Sequence, residues 1–279
     1  MERRGEVTQM DRRGWLGVVC ALGLGFAGCA FGGEDGVAGA EEYVRPGSGT
    51  GLYPDMRAVV PRHLQIQNSG QQEFLRFSNG VANTGAGDLR VRPGVGDPTT
   101  GTQPAIQEIL DANRNIVQEF LAGNFVFHPS HNHWHLEDVA LFEVHQGSPT
   151  GPVYGTTGVK VTFCLIDWIK IDGNTNTRDR IYWDCQTSFQ GIQPGWVDQY
   201  HHSLPGQEVD ITGAPAGLYY FSTTANPDGI FRESNYTNNN AWIEFRLTRD
   251  SNGNAQVTET GVTSPCESPG MCGENSPNR

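Results

Sequence analysis

The chain has 279 residues, 36 of them Gly and 16 Pro, and a net charge of −12 at pH 7. That length supports one large core-forming domain, and so many turn formers among short apolar runs exclude a helical bundle in favour of a sheet-rich protein. The acidic balance excludes nucleic acid as a partner and suits a cationic one.

Arg12 and Arg13 precede "GWLGVVCALGLGFAGC", an apolar run too short and glycine-rich for a membrane span. Residues 1–28 therefore read as a signal peptide, with Met10 as an alternative start. The stretch "FAGC" resembles the lipobox of bacterial lipoproteins, which makes Cys29 a lipid anchor; ordinary cleavage nearby is the alternative. "DRRGWLG" faintly resembles a twin-arginine signal. The expected location is outside the cytoplasm, in the cell envelope or on the cell surface, with membrane contact only through the lipid. Without residues 1–28 the chain keeps 15 basic and 28 acidic side chains. Only two are lysines, Lys160 and Lys170, so a lysine within an apolar strand stands out.

Residues 29–50 are small and polar, as a flexible tether would be, and the folded domain is expected over 51–249. It opens at "LYPDMRAVVPRHLQIQ". In "QQEFLRFSNGVANTGAGDLRVRP", Phe74, Arg76 and Ser78 alternate with Leu75, Phe77 and Asn79, which predicts two strands joined across "NTGAGD". "AIQEILDANRNIVQEFLAG" reads as a hairpin because two apolar runs flank the turn-like "DANRN". Further strands are expected at "VALFEVHQ", "GVKVTFCLID", "GLYYFSTTAN" and "AWIEFRLTR". The fold class predicted is all-β, an antiparallel β-sandwich with long loops and little helix. The Ser-, Gly- and Asn-rich residues 250–279 are expected to be a disordered tail apart from a cysteine clip. Export permits disulfides. Cys164, Cys185, Cys266 and Cys272 allow three pairings, and proximity favours Cys164 with Cys185 and Cys266 with Cys272.

The densest chemistry lies in "FHPSHNHWHLEDVALFEVH", residues 127–145. In an extended chain His131, His133 and His135 share a face, and three imidazoles on one face suit Cu, Zn, Fe or Ni. At about 3.3 Å per residue the outer two stand about 13 Å apart, so the backbone must curl around the ion or His128 must replace one ligand. Glu137, Asp138 and Glu143 are near enough to orient imidazoles or to serve as a base. His145 reads as a solvated strand-end residue.

"HPSHNHWH" resembles the copper-binding run of the lysyl oxidase family, amine oxidases that combine Cu(II) with a quinone made from their own Lys and Tyr. The resemblance implies a lysyl-oxidase-like catalytic domain with copper on His131, His133 and His135. "KVTFCLID" resembles the segment of the quinone-forming lysine, which implicates Lys160, and "GWVDQY" the segment of its tyrosine, which implicates Tyr200. The implied cofactor is a lysine tyrosylquinone. A ping-pong reaction follows from it: a primary amine, free or on a lysine-containing polypeptide, yields an aldehyde and ammonia, and O2 is reduced to H2O2. Asp138 and Glu137 are the nearest acidic candidates for the base, with His201 and His202 as alternatives; strand alternation lets at most one of the last two face the site. "ESNYTNN" resembles the family's calcium turn, implicating Glu233, Asn235, Asn238 and Asn239, with Asp55 and the Met56 carbonyl. The chain departs from the animal pattern in three ways. Asn235 stands where that pattern has an aspartate, Cys164 and Cys185 match only one family disulfide, and Phe142 falls near a family histidine.

Two other readings use the same residues. "LPGQEVDITGAPAGLYYFSTTANPDGIFRESNYTNNN" also resembles non-catalytic cell-surface adhesion sandwiches, and a third reading keeps the copper without the quinone.

Overall fold

The computed structural model describes residues 42–43, 49–96, 101–129, 132–155, 157–171, 178–185, 189–266 and 269–273, with the backbone alone at 42, 43 and 160. The signal peptide, Cys29 and His131 lie outside the described residues. In chain order the strands are β1 (Glu42–Tyr43), β2 (Met56–Ser69), β3 (Gln72–Asn83), β4 (Leu89–Pro93), β5 (Thr102–Leu110), β6 (Ile116–His128), β7 (His133–Gln146), β8 (Val159–Phe163), β9 (Ile169–Lys170), β10 (Gln190–Ile192), β11 (Trp196–Tyr200), β12 (Glu208–Asp210), β13 (Gly217–Ala225), β14 (Asn240–Arg249) and β15 (Ala255–Thr263). Among the described residues the only helix is the 3-10 turn Pro269–Met271. None is long and apolar enough to cross a membrane.

Every pairing is antiparallel. One sheet runs β10-β4-β5-β6-β7-β13-β14-β15, with β1 on β6 and β8 on β7; the other runs β12-β3-β11-β9, with β2 on β3. The sheets close on a shared apolar layer, as the alternation in β3 dictates: Leu75 and Phe77 point inward and are fully buried. The Phe77 ring lies 4.6 Å from that of Phe142 on β7 and 4.1 Å from that of Phe221 on β13, so three strands from both sheets meet there. Phe142, where the animal pattern has a histidine nearby, is thus a core residue.

Two expectations about the ends are corrected. β1 lies within the presumed tether and pairs with β6 through Glu42↔Phe120 and Tyr43↔Glu119. The presumed disordered tail supplies β15, which pairs along β14 and whose residues are mostly exposed. His145 is not solvated either: it is 7 % exposed and bonds the Gly151 carbonyl and the Ser222 hydroxyl. Both disulfides have the partners that proximity favoured, Cys164–Cys185 and Cys266–Cys272. Such bonds form in an oxidising compartment, as an exported protein meets.

Glu73 on β3 ties one end of the sandwich together. Its carboxylate accepts from the Arg249 guanidinium of β14, from the Gly213 amide and from the Ala255 amide that opens β15. The Arg249 hydrogen bond is the largest cause holding the Glu73 pKa below its usual value. A depressed carboxylate contributes stability that is present above the unfolded pKa, about 4.3, and lost as pH falls through the folded pKa. Glu73→Gln is therefore expected to cost about 1.5–3 kcal/mol at neutral pH. In thermal melts against pH, the gap to the parent should close as the solution is acidified below about pH 4.

Candidate active site

The histidine run forms the closed end of a hairpin. β6 and β7 pair as His128↔His133, Phe127↔Trp134, Val126↔His135 and Phe125↔Leu136. The turn is closed by the Asn132 amide on the His128 carbonyl, with Asn132 at φ 57°, a conformation Asn tolerates. The pairing thus brings His128 opposite His133. Directly paired residues share a face, so His128, His133 and His135 lie on one side of the hairpin while Trp134 and Leu136 lie on the other. The Nε2 atoms of His133 and His135 are 2.8 Å apart, and the His128 ring stacks on His135 at 5.0 Å.

The second edge of β7 fixes this group. β8 joins it at Leu136↔Phe163, and its register then shifts before Ala140↔Val161 and Leu141↔Lys160. Asp138, within the shift, adopts φ 51°. Thr162 of β8 bonds His135 Nδ1 at 3.1 Å. Beyond Phe163 the register would bring Leu165 opposite Trp134, but the Gln190 carboxamide fills that rung: it accepts from the Leu165 amide and donates to the Trp134 carbonyl. The Trp134 amide donates to Cys185, whose disulfide leads back to Cys164. Gln190, which sequence reasoning missed, is 2 % exposed, and this bridge explains why a polar side chain is buried there.

Tyr200 closes β11 in the opposite sheet and reaches the same strand. Its ring stacks on Phe163 at 4.4 Å, and its hydroxyl donates to the Cys164 carbonyl at 3.0 Å. Thr162 and Phe163 are successive residues on β8, so the imidazoles and the phenol approach this strand from opposite faces. Burial is the first cause raising the phenol pKa well above its usual value, followed by the charge and hydrogen bond of Asp198. Asp198, 2 % exposed, is likewise pushed well up by burial, against the hydrogen bond from Tyr200. It was readable within "GWVDQY" as the residue two positions before Tyr200, on the same strand face.

Other expected positions separate. Glu137 accepts from Asn124 on β6. Among the described residues neither it nor Asp138 joins a three-ligand cluster with His133 and His135. His201 and His202 lie beyond the end of β11, so alternation does not apply to them: their rings sit 3.9 Å apart, beside His63.

The acidic turn gathers most of its expected members. Asp55 accepts from Thr84 and Asn238, and Glu233 from Asn226, Asn239 and the Met56 amide. The Oδ1 atoms of Asn238 and Asn239 are buried without a donor. Burial raises the Glu233 pKa, and the nearby Asp55 charge adds to this. Asn235 faces elsewhere, its oxygen taken up by Thr237.

The lysyl oxidase family model matches residues 111–257, more than half of the chain and including the hairpin, β8 and Tyr200. The chain belongs to the lysyl oxidase family. It is 29 % identical over 228 residues to lysyl oxidase homolog 2 of Bos taurus, which covers 80 % of this chain and 29 % of that protein. The human lysyl oxidase homolog 2 is 30 % identical over 148 residues, or 51 % of this chain and 18 % of that protein. Protein-lysine 6-oxidase of Sus scrofa is 30 % identical over 123 residues, or 44 % of this chain and 47 % of that protein. The matches thus span less than half the length of each of these relatives.

Proposed function

We propose that this lysyl oxidase family member is an exported amine oxidase that converts primary amines, including lysine side chains of polypeptides, to aldehydes. Overall, a protonated amine, O2 and water give the aldehyde, ammonium and H2O2. The carrying observation is the His133–His135 pair, with Nε2 atoms 2.8 Å apart and Thr162 beside the His135 Nδ1. Imidazole nitrogens suit copper, and a neighbour on the second ring nitrogen orients the ring. His131, His133 and His135 would hold Cu(II), with His128 stacked behind. When present, copper and a quinone derived from Lys160 and Tyr200 supply the electron-accepting chemistry.

The chain's own groups position and protonate. The Cys164 carbonyl holds the phenol proton of Tyr200, and Asp198 raises the cost of removing it. To reach the imidazole face of β8 the phenol has to leave its stack on Phe163. The proton lost from the carbon beside the amine needs a base; Asp138 at the register shift is the first candidate, with Glu137, His201 and His202 as its alternatives, and Asp198 beside the phenol is a further one. Cys29 would hold the protein to a membrane through lipid.

Quinone staining of the copper-loaded protein, coupled to amine-dependent peroxide release, tests the reading. Both signals are expected in the parent and neither in Lys160→Ala. A parent protein that binds copper but gives neither signal would be the copper-binding protein of the alternative reading.

The buried, donor-less oxygens of Asn238 and Asn239 beside Asp55 and Glu233 fit a hard cation, so calcium is proposed there, with the Met56 carbonyl as a further ligand. Asn235, engaged with Thr237, is the weakest member of that set. Calcium at about 100 times its Kd should stabilise the fold by about 2.7 kcal/mol, a rise in Tm of about 5–10 °C. Asp55→Asn should remove most of that rise.

A further inference from the structure

Three histidines converge on the other sheet, outside the run at 128–135. His63 lies in β2, where Pro61 cannot donate to the ladder and the register shifts on both sides of Arg62. The resulting irregularity holds His63 at φ 57°. His201 and His202 follow the last residue of β11. One nitrogen from each of the three rings can be chosen so that all lie within 4.8 Å of one another. His63 and His201 are exposed and His202 is half-buried.

The surroundings fix the backbone on which these rings stand. The Ser78 hydroxyl bonds His63 Nδ1 at 3.3 Å and accepts from the His202 amide at 3.0 Å, linking the two segments. His201 Nδ1 accepts from the Ser203 amide at 3.3 Å and lies 2.9 Å from the Ser203 hydroxyl. Arg76 donates to the carbonyls of His202 and Leu204 and is paired with Glu208, so the nearby cation is neutralised and the loop is tied to β3. Hydrogen bonds to a ring nitrogen fix the orientation of an imidazole, which is how ligands are held around a metal.

We propose that His63, His201 and His202 form a second transition-metal site, taking Cu(II) or Zn(II), built on the loop that follows Tyr200. Zn–N bonds of about 2.0–2.1 Å in a tetrahedron put nitrogens about 3.3 Å apart, so the rings need to close by about 1.5 Å. Two exposed side chains can do that by adjusting their rotamers, and a water would complete the coordination. Three imidazoles without a carboxylate select a borderline or soft ion over calcium or magnesium. A metal bridging His63 to His201 and His202 would staple β2 to the segment after Tyr200. The inference does not rest on the oxidase reading.

Metal-stripped full-length protein titrated with Co(II), read by its visible absorption bands and by calorimetric stoichiometry, tests the site. His133→Gln/His135→Gln is expected to retain one equivalent. Adding His201→Gln or His63→Gln to it should weaken that equivalent at least about tenfold. Circular dichroism should be unchanged, because both of these positions are exposed. Retention of the equivalent at unchanged affinity in both of these variants would overturn the proposal, as would a His133→Gln/His135→Gln protein that binds no Co(II) while folded. A parent that binds a single equivalent, lost on His201→Gln, would leave this site standing and remove the one at 133–135.

Discussion

Tyr200→Phe is expected to abolish quinone staining and to lower amine-dependent peroxide release at least about 1000-fold, because a phenyl ring cannot be oxidised to the quinone on which the proposed reaction depends. The fold should survive. The ring keeps its stack on Phe163, and what is lost is the hydroxyl's hydrogen bonding to the Cys164 carbonyl and to Asp198, a cost of about 1–2 kcal/mol. Copper binding should be unchanged, since the imidazoles lie on the opposite face of β8. Asp198→Asn separates roles at the same place. A carboxyl whose folded pKa is raised contributes stability present below the unfolded pKa, about 3.9, and lost as pH rises through the folded pKa. At neutral pH the uncharged Asn should therefore leave Tm unchanged or higher. If Asp198 takes the substrate proton, kcat falls by about 100-fold or more in Asp198→Asn and holds in Asp138→Asn. The reverse pattern makes Asp138 the base. The readouts are Tm and kcat on one simple amine.

Two of the chain's three Asp-x-Asn-x-Asn segments, those at 111–115 and 250–254, explain how much of the fold was legible. In "DANRN" Asp111 accepts from the amides of Asn113 and Asn115, and in "DSNGN" Asp250 accepts from those of Asn252 and Asn254. The first sits between apolar runs and so announced a hairpin. The second leads into "AQVTETGVT", an edge strand whose exposed residues leave little apolar alternation to read, although its Thr and Val favour extended chain. Core strands such as β3, β7, β13 and β14 were legible because one face of each is buried. At the site, the histidine spacing announced that His133 and His135 share one face, as they do. The Gln190 bridge was not legible, because a buried glutamine declares its partner only once Trp134 and Leu165 stand opposite one another. Nor was the approach to His63, which depends on a strand irregularity around Pro61 and on β2 and β11 both pairing with β3.

The disulfide beside the site carries the other large expected effect. Cys164 and Cys185 close a loop with a sequence separation of 21, for which chain-entropy reasoning gives about 3 kcal/mol. Cys164→Ser/Cys185→Ser should accordingly lower Tm by about 6–12 °C. The bond also has a local role, because the Cys185 carbonyl accepts the amide of Trp134, which stands between His133 and His135. Releasing that segment should loosen the spacing of the imidazoles and weaken copper binding at least about tenfold, the scale on which groups supporting metal ligands act. Gln190→Leu separates stapling from ligand support: it leaves the disulfide intact but strands the Leu165 amide and the Trp134 carbonyl. If support is the cause, copper affinity falls in both variants. If the disulfide only staples the loop, the serine variant loses Tm while copper affinity stays at the parental value in calorimetric titration.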